Sequence, residues 1–239
     1  MKQKFDLMQF INQLVDLEPR LGKNLVKAER LIVKTLNSHG VKYRRQRLVV
    51  ADSSRLAKEF KIPVPLEKHD TNNLLVGNLI NPRSILLTHF DAIGPGALDN
   101  ASGVAVCLKV LIENSGFIED NLVVFSGSEE TSQEKPIYWG YGYRQFEKKY
   151  GLLLKTCRVI YVVDCVGNGR LHFFQGDYYF RQAVPLKNLP PIKKKLFVLT
   201  GNVKHLLAVC HTQKDTVVGL SQKYLEVSYN QLVQACCRI

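Results

Sequence analysis

The sequence has no apolar stretch long enough to cross a bilayer and no paired-cysteine motif. None of its windows approaches the roughly 18 to 20 apolar residues that a transmembrane helix needs. Its first residues lead into an amphipathic segment without the apolar core of a secretory signal, and its six cysteines contain no C-x-x-C pair. We therefore expect a soluble cytoplasmic protein that does not contact a membrane and that keeps its thiols reduced.

Acidic residues are scarce relative to basic ones. The 21 Asp and Glu residues are outnumbered by 33 Lys and Arg residues, which gives a formal net charge of +12. Such a surplus can serve nucleic-acid binding, but the densest clusters, Tyr43–Arg47 and Lys193–Lys195, are not interleaved with aromatic residues that could stack on bases. No nucleic-acid motif accompanies them either. We interpret the charge as a solvated basic surface and expect no nucleic-acid partner.

The apolar pattern indicates one α/β domain, in which residues 1–70 pack on a core of residues 71–239. The pattern predicts helices at Asp6–Asp16, Leu21–Ser38, Asn100–Asn114, Tyr143–Tyr150 and Ser221–Cys237. It predicts strands at Val41–Val50, Leu74–Leu79, Ile85–Leu87, Leu122–Phe125, Val159–Val163, Arg170–Phe174 and Leu206–Val209. We interpret Ala51–Asp70 as a loop. The apolar residues of Tyr179–Lys195 show neither helical nor strand periodicity, so that segment stays ambiguous.

Side chains that bind metals follow four of these predicted strands. In open α/β sheets the carboxyl ends of the strands line the ligand crevice, so we expect these side chains to meet there. Asp99 joins them on the same edge, because it stands just before the helix predicted from Asn100. In chain order, the residues that follow the four strands are His89 and Asp91, Glu129 and Glu130, Asp164, and His211.

Imidazoles and carboxylates in this number predict two zinc or similar divalent ions. Asp99 can bridge both ions, since a carboxylate has two oxygens. His89 and Asp164 would complete one ligand set, and Glu130 and His211 the other. Each ion then has three protein ligands and an open position, as catalytic sites require, and the pair can hold both a nucleophile and an oxyanion.

The remaining polar residues of these segments are interpreted as supporting groups. Only one of the neighbours Glu129 and Glu130 can point at the metals, so the other can carry a proton. Asp91 and Asp215 stand close in sequence to His89 and His211 and are placed to orient those imidazoles. Cys210 precedes His211 in a predicted strand. Because neighbours in a strand face opposite sides, we expect Cys210 to be structural and directed away from His211.

Five segments together resemble a known family. They are Thr88–Asp91, Leu98–Gly103, Ser128–Glu130, Val163–Asp164 and His211–Thr216. In this order they are similar to the co-catalytic dizinc aminopeptidases, the family of bacterial leucyl aminopeptidase and aminopeptidase Y, which also contains the glutaminyl cyclases. The similarity spans Asn73–Ile239. It departs from the family pattern in the short spacing between His89 and Asp99 and in Gln213, where the family usually has proline.

The resemblance implies an α/β fold with a mixed, mostly parallel central sheet flanked by helices, the zinc-exopeptidase architecture. It implies two zinc ions per chain with Glu129 as general base. Asp91 is expected in the catalytic centre as well, because it stands two residues after His89. The implied ligands are His89, Asp99, Glu130, Asp164 and His211, the set that the strand ends also indicate.

The implied activity is hydrolysis of N-terminal residues from peptide substrates by a water that the two ions activate. One alternative is a glutaminyl cyclase that uses a single zinc, although no Trp precedes His211 as the cyclase pocket would suggest. The other alternative is a catalytically silent interaction protein on the same fold. The presence of all five ligands and Glu129 weighs against it. Nothing in the sequence indicates an oligomeric state.

Overall fold

A mixed seven-stranded sheet forms the centre of the computed structural model, which describes residues 5–51, 68–130, 139–175, 184 and 186–237. Its spatial order is β1-β2-β4-β3-β5-β7-β6. The four central strands, β4, β3, β5 and β7, are parallel, whereas β1, β2 and β6 add antiparallel edges. The strands are β1 Arg44–Ala51, β2 Lys68–Gly77, β3 Ser84–His89, β4 Asn121–Ser126, β5 Val159–Val163, β6 His172–Phe174 and β7 Leu196–Thr200. The predicted fold class is confirmed.

Helices cover both faces of this sheet. They are α1 Leu7–Val15, α2 Gly22–Ser38, α3 Ser102–Glu113, α4 Phe117–Asp120, α5 Tyr141–Thr156, α6 Val203–Val209 and α7 Gln222–Cys237. A turn at Ala97–Ala101, in which Asp99 and Asn100 have non-helical backbone angles, and the 3-10 turns Lys193–Lys195 and Val217–Gly219 complete the described elements. Within the described part of the chain, no helix has the length and apolar character needed to cross a membrane.

The pleat of the central strands separates two apolar cores. Leu86 of β3 packs with α1, α2, α3 and α7, whereas its neighbours Ile85 and Leu87 pack on the other face with α5. Every residue of β3, β4 and β5 is buried. Because parallel strands are covered on both faces, they are apolar along their whole length. Polar side chains therefore enter only where these strands end.

The prediction of a strand at Leu206–Val209 is wrong, because these residues belong to α6. The side chain of Asn202 accepts a hydrogen bond from the backbone N–H of His205 at 3.2 Å, which caps the helix at its start. A run of only four apolar residues suits a strand and a helix equally well, so the pattern could not distinguish them. β5 pairs with β3 on one side and with β7 on the other, and the sequence pattern did not indicate β7.

The other predicted elements are present, β5 with the predicted bounds and the rest with shifted bounds. The five predicted helices correspond to α1, α2, α3, α5 and α7, and α5 extends to Thr156. The first strand begins at Arg44, and β2 begins at Lys68, inside the segment that was predicted as a loop. Residues 52–67 of that segment lie outside the described residues. Residues 179–183 and 185 of the segment Tyr179–Lys195 also lie outside them.

Candidate metal centre

The carboxyl ends of three parallel strands bring the predicted acids and the first histidine together. His89 is the last residue of β3, Asp164 directly follows β5, and Glu129 and Glu130 lie in the turn after β4. His89, Glu129 and Glu130 are buried, although each is polar or charged. Charges are rarely buried without a compensating group, so this edge of the sheet is built for a polar partner.

Asp99 stands at the centre of the cluster and faces both histidines. Its Oδ1 lies 3.2 Å from Nε2 of His89, and its Oδ2 lies 3.3 Å from Nε2 of His211. Nε2 of His89 is also 3.4 Å from Oδ1 of Asp164, and Nε2 of His211 is 2.9 Å from Oε2 of Glu130. The structure thus brings the five predicted ligands together as two sets that share Asp99.

The donor atoms fit divalent metal ions. The ligand atoms of His89, Asp99 and Asp164 all lie within 4.8 Å of one another. Donors that surround one zinc ion at about 2 Å must lie within about twice that distance of each other, so little adjustment is needed. Imidazole nitrogen and carboxylate oxygen are both ordinary zinc ligands. The residues around His89 therefore fit a divalent ion, and Asp99 and His211 form a second group of this kind with Cys210.

The electrostatics of the cluster also indicate that a cation belongs there. Burial raises the pKa of Glu130 to about 7 despite the nearby His211, and burial raises the pKa of Glu129 well above its usual value. Burial opposes the ionisation of Asp99, yet its hydrogen bonds with His211 and His89 hold its pKa well below the usual range. Burial likewise disfavours a charged His89, but Asp164, Asp91 and Asp99 outweigh it and raise its pKa. Bound cations would supply the positive charge that these protons otherwise provide.

Asp91 lies behind the ligands and holds the turn that carries the glutamates. Its carboxylate accepts the backbone N–H of Glu129 at 3.0 and 2.8 Å and that of Glu130 at 2.8 Å. Its backbone carbonyl lies 3.2 Å from Nδ1 of His89. Asp91 is fully buried, so it acts on the site through the groups that it positions.

Asp215 plays the corresponding part for the central aspartate. It accepts the backbone N–H of Leu98 at 2.7 Å and that of Asp99 at 3.0 Å. We expected its carboxylate to orient His211; it fixes the turn of the shared ligand Asp99. Burial raises the pKa of Asp215 to about 6, and the charge of Asp99 adds to this.

Arg20 is a supporting residue that the sequence did not reveal. It is fully buried and donates hydrogen bonds to the backbone carbonyls of Phe90 at 2.8 Å, Pro95 at 2.8 Å and Gly96 at 2.9 Å. These carbonyls belong to the loop that joins His89 to Asp99. Burial lowers the pKa of Arg20 to about 10, so the guanidinium stays charged at neutral pH. A single Arg between two helices has no periodic or motif signal that could have identified it.

Cys210 also lies at the centre, contrary to the prediction that it faces away from His211. Because α6 ends at Val209, these two residues are not in a strand. His211 has a left-handed backbone with φ of 57°, and its side chain and that of Cys210 converge on Asp99. Sγ of Cys210 donates to Oδ2 of Asp99 at 2.9 Å. Recognising a helix at Val203–Val209 would have removed the error.

Compared by sequence, the chain matches no known family model and no curated protein. Compared by structure, it is similar to a Zn-dependent exopeptidase from Parabacteroides distasonis, with a TM-score of 0.71, 14% identity and 99% of each chain covered. A glutaminyl cyclase from Porphyromonas gingivalis gives a TM-score of 0.72 and 15% identity over 99% of this chain and 98% of the other. A leucine aminopeptidase precursor from Bacteroides thetaiotaomicron gives 0.68 and 16% over 97% of each. The chain therefore has the α/β fold of these proteins, the fold expected from the resemblance in sequence.

Proposed function

We propose that the protein is a zinc-dependent aminopeptidase that removes N-terminal residues from peptides. The observation that carries the proposal is the position of Asp99, whose two oxygens face His89 and His211. Each of these histidines has a carboxylate of its own, Asp164 or Glu130. A shared carboxylate between two such sets is the arrangement that a pair of catalytic ions needs. The likeness in fold to an exopeptidase and to an aminopeptidase precursor supports the proposal.

The proposed chemistry divides the residues into ligands and a proton carrier. Asp99 would hold both ions, His89 and Asp164 the first, and Glu130 and His211 the second. When bound, such ions lower the pKa of water and polarise a carbonyl group. Glu129 would take the proton from the attacking water and deliver it to the departing amine. Burial raises its pKa well above the usual value, which makes the ionised carboxylate a stronger base.

Glutaminyl cyclisation is the second candidate, because the fold is also that of the Porphyromonas gingivalis cyclase. In that reaction the α-amine of the substrate attacks its own side-chain amide and ammonia leaves. A single zinc is sufficient to polarise the amide. A second ligand set has less use in a one-zinc reaction, so the presence of two sets around Asp99 favours the hydrolase.

Two measurements test the proposal. The metal-free chain is equilibrated with excess zinc, loosely held ions are removed, and zinc per chain is counted. A peptide with N-terminal Gln is then supplied, and its products are identified by mass spectrometry. Two zinc ions and release of free Gln are expected. One zinc with loss of ammonia would assign the cyclase reaction instead, and a chain that binds no zinc would overturn both functions.

A further inference from the structure

The two ligand sets differ in the kinds of protein donor that they offer. On the His89 side, Asp99 and Asp164 complete three donors. On the other side, the carboxylates of Asp99 and Glu130 lie near His211, and the thiol of Cys210 adds a sulfur donor. The ligand atoms of Asp99, Cys210 and His211 lie within 4.8 Å of one another.

The sulfur stands where a ligand of the second ion would be. Sγ of Cys210 lies 2.9 Å from the same Asp99 oxygen, Oδ2, that faces His211. The helix end at Val209 and the left-handed backbone of His211 bring two consecutive side chains to one point. A left-handed conformation is uncommon for a residue with a side chain, although histidine adopts it more readily than most, and such residues cluster at functional sites.

We propose that Cys210 is a sulfur ligand of the second ion, beside Asp99 and His211. This inference rests on the proposed function and deepens it.

Ligation by Cys210 balances in bonds, protons and electrons. The S–H bond breaks, its proton passes to solvent, and a sulfur–metal bond forms, with no change in oxidation state. A thiolate also makes the second site softer than a site of oxygen and nitrogen alone. The His211 side should therefore favour zinc, cobalt or cadmium over magnesium and manganese.

Cys165 provides a matched control at the same centre. Its thiol is buried and donates to Oδ1 of Asp164 at 3.3 Å, on the His89 side. Among the described residues, Cys165 belongs to none of the groups whose three ligand atoms lie close enough to hold an ion. Both cysteines thus touch a ligand carboxylate, but only Cys210 has ligand geometry.

The test is Co²⁺ titration of the metal-free full chain, followed by absorption. Wild type and Cys165→Ser should show the visible bands of bound cobalt and a near-ultraviolet sulfur-to-cobalt charge-transfer band. Cys210→Ser should keep visible bands but lose the charge-transfer band, and its affinity for the more tightly held ion should fall at least about tenfold in chelator competition. In the wild-type chain, zinc should also protect Cys210 from iodoacetamide, which mass spectrometry of the alkylated peptide detects without any variant.

The possible outcomes distinguish a failure of this inference from a failure of the proposed function. Visible cobalt bands without a charge-transfer band in wild type would overturn the sulfur ligand and leave the two-ion site standing. A band that persists in Cys210→Ser, or alkylation of Cys210 that zinc does not slow, would overturn it equally. Failure of wild type to bind cobalt or zinc at all would overturn the proposed metalloenzyme itself.

Discussion

The carboxylate of Asp91 holds Glu129 by its backbone, with both oxygens accepting the same N–H at 3.0 and 2.8 Å. Asp215 also holds Asp99 by its backbone, but with one oxygen, Oδ2, accepting the N–H at 3.0 Å. Neither supporting carboxylate is among the predicted ligands. Because a carboxylate accepting N–H bonds forms strong charge-assisted interactions, these two residues fix the turns and leave the Glu129 and Asp99 side chains directed at the centre.

Asp91→Asn should loosen the glutamate turn. The substitution replaces one acceptor oxygen with an NH₂ group that faces the backbone N–H of Glu129, so the two N–H groups of the turn must share one uncharged oxygen. We expect zinc affinity to fall about 10- to 100-fold and the free energy of unfolding to fall by about 1–3 kcal/mol. Chelator competition and urea denaturation measure the two effects. Asp70→Asn, at an exposed position, is the control; equal effects in both variants would contradict the role given to Asp91.

Glu129→Gln should separate catalysis from metal binding. The amide keeps the shape of the side chain but cannot accept the proton of the attacking water, so we expect kcat to fall about 10²- to 10⁴-fold. Zinc content should stay at the wild-type value. Glu130→Gln is the comparison, because it removes a ligand carboxylate and should reduce zinc content. Wild-type activity in Glu129→Gln would mean that another group carries the proton.

The positions of His89 and Asp164 could be predicted because they follow buried parallel strands. Such strands are continuous apolar runs, and the first polar residue after each run marks the edge of the sheet. His211 was placed correctly at the centre, although it follows a helix and not a strand. That prediction rested on its residue type and on the family pattern. The wrong prediction of a strand led to the wrong orientation for Cys210.

Arg20 could not be predicted, because its role depends on contacts distant in sequence. Its hydrogen bonds reach residues 70 to 76 positions further along the chain and end on backbone carbonyls. Carbonyl groups are present at every residue, so no sequence pattern marks these partners. The same holds for Asn100, whose amide donates to Thr88 and to the carbonyl of Val163 and thereby joins two strand ends.

Arg20→Lys tests whether the buried guanidinium organises the loop between the first two ligands. A lysine keeps the charge but has one ammonium group that cannot reach all three carbonyls in the geometry of the guanidinium. We expect the metal-free chain to lose about 2–4 kcal/mol of unfolding free energy, since bonds from charged donors contribute about 1.5–3 kcal/mol each. Urea denaturation measures the loss. Arg44→Lys, at an exposed position, should change it by less than about 0.5 kcal/mol.

The metal-free protein should lose stability as pH rises. Glu130 and Asp215 have folded pKa values of about 7 and about 6, raised from 4.5 and 3.8, so the fold retains protons that the unfolded chain has lost. Their contribution therefore falls from about pH 4 to 7. The raised pKa values of His89 and His211 act in the same direction, with stability present below about 6.5 and lost as pH rises through the folded values.

Thermal unfolding with chelator and with zinc measures this dependence. With chelator, Tm should be lower at about pH 8 than at about pH 5. With zinc the trend should reverse, because metal binding requires deprotonated ligands and therefore strengthens as pH rises. Parallel curves under the two conditions would contradict the assignment of these groups to a metal centre.

Gly96→Ala should damage the centre more than Gly40→Ala, although both glycines have left-handed backbones, with φ of 61° and 70°. A Cβ on Gly40 meets nothing within 4 Å, so its cost is the conformational penalty alone, about 1–2 kcal/mol. A Cβ on Gly96 would lie 2.5 Å from the backbone oxygen of Asp99 and 2.8 Å from Nη2 of Arg20. We expect Gly96→Ala to lose more unfolding free energy and also zinc affinity, because the shared ligand must shift. Urea denaturation and chelator competition compare the variants, and equal losses in both would mean that close packing beneath Asp99 does not hold the ligand in place.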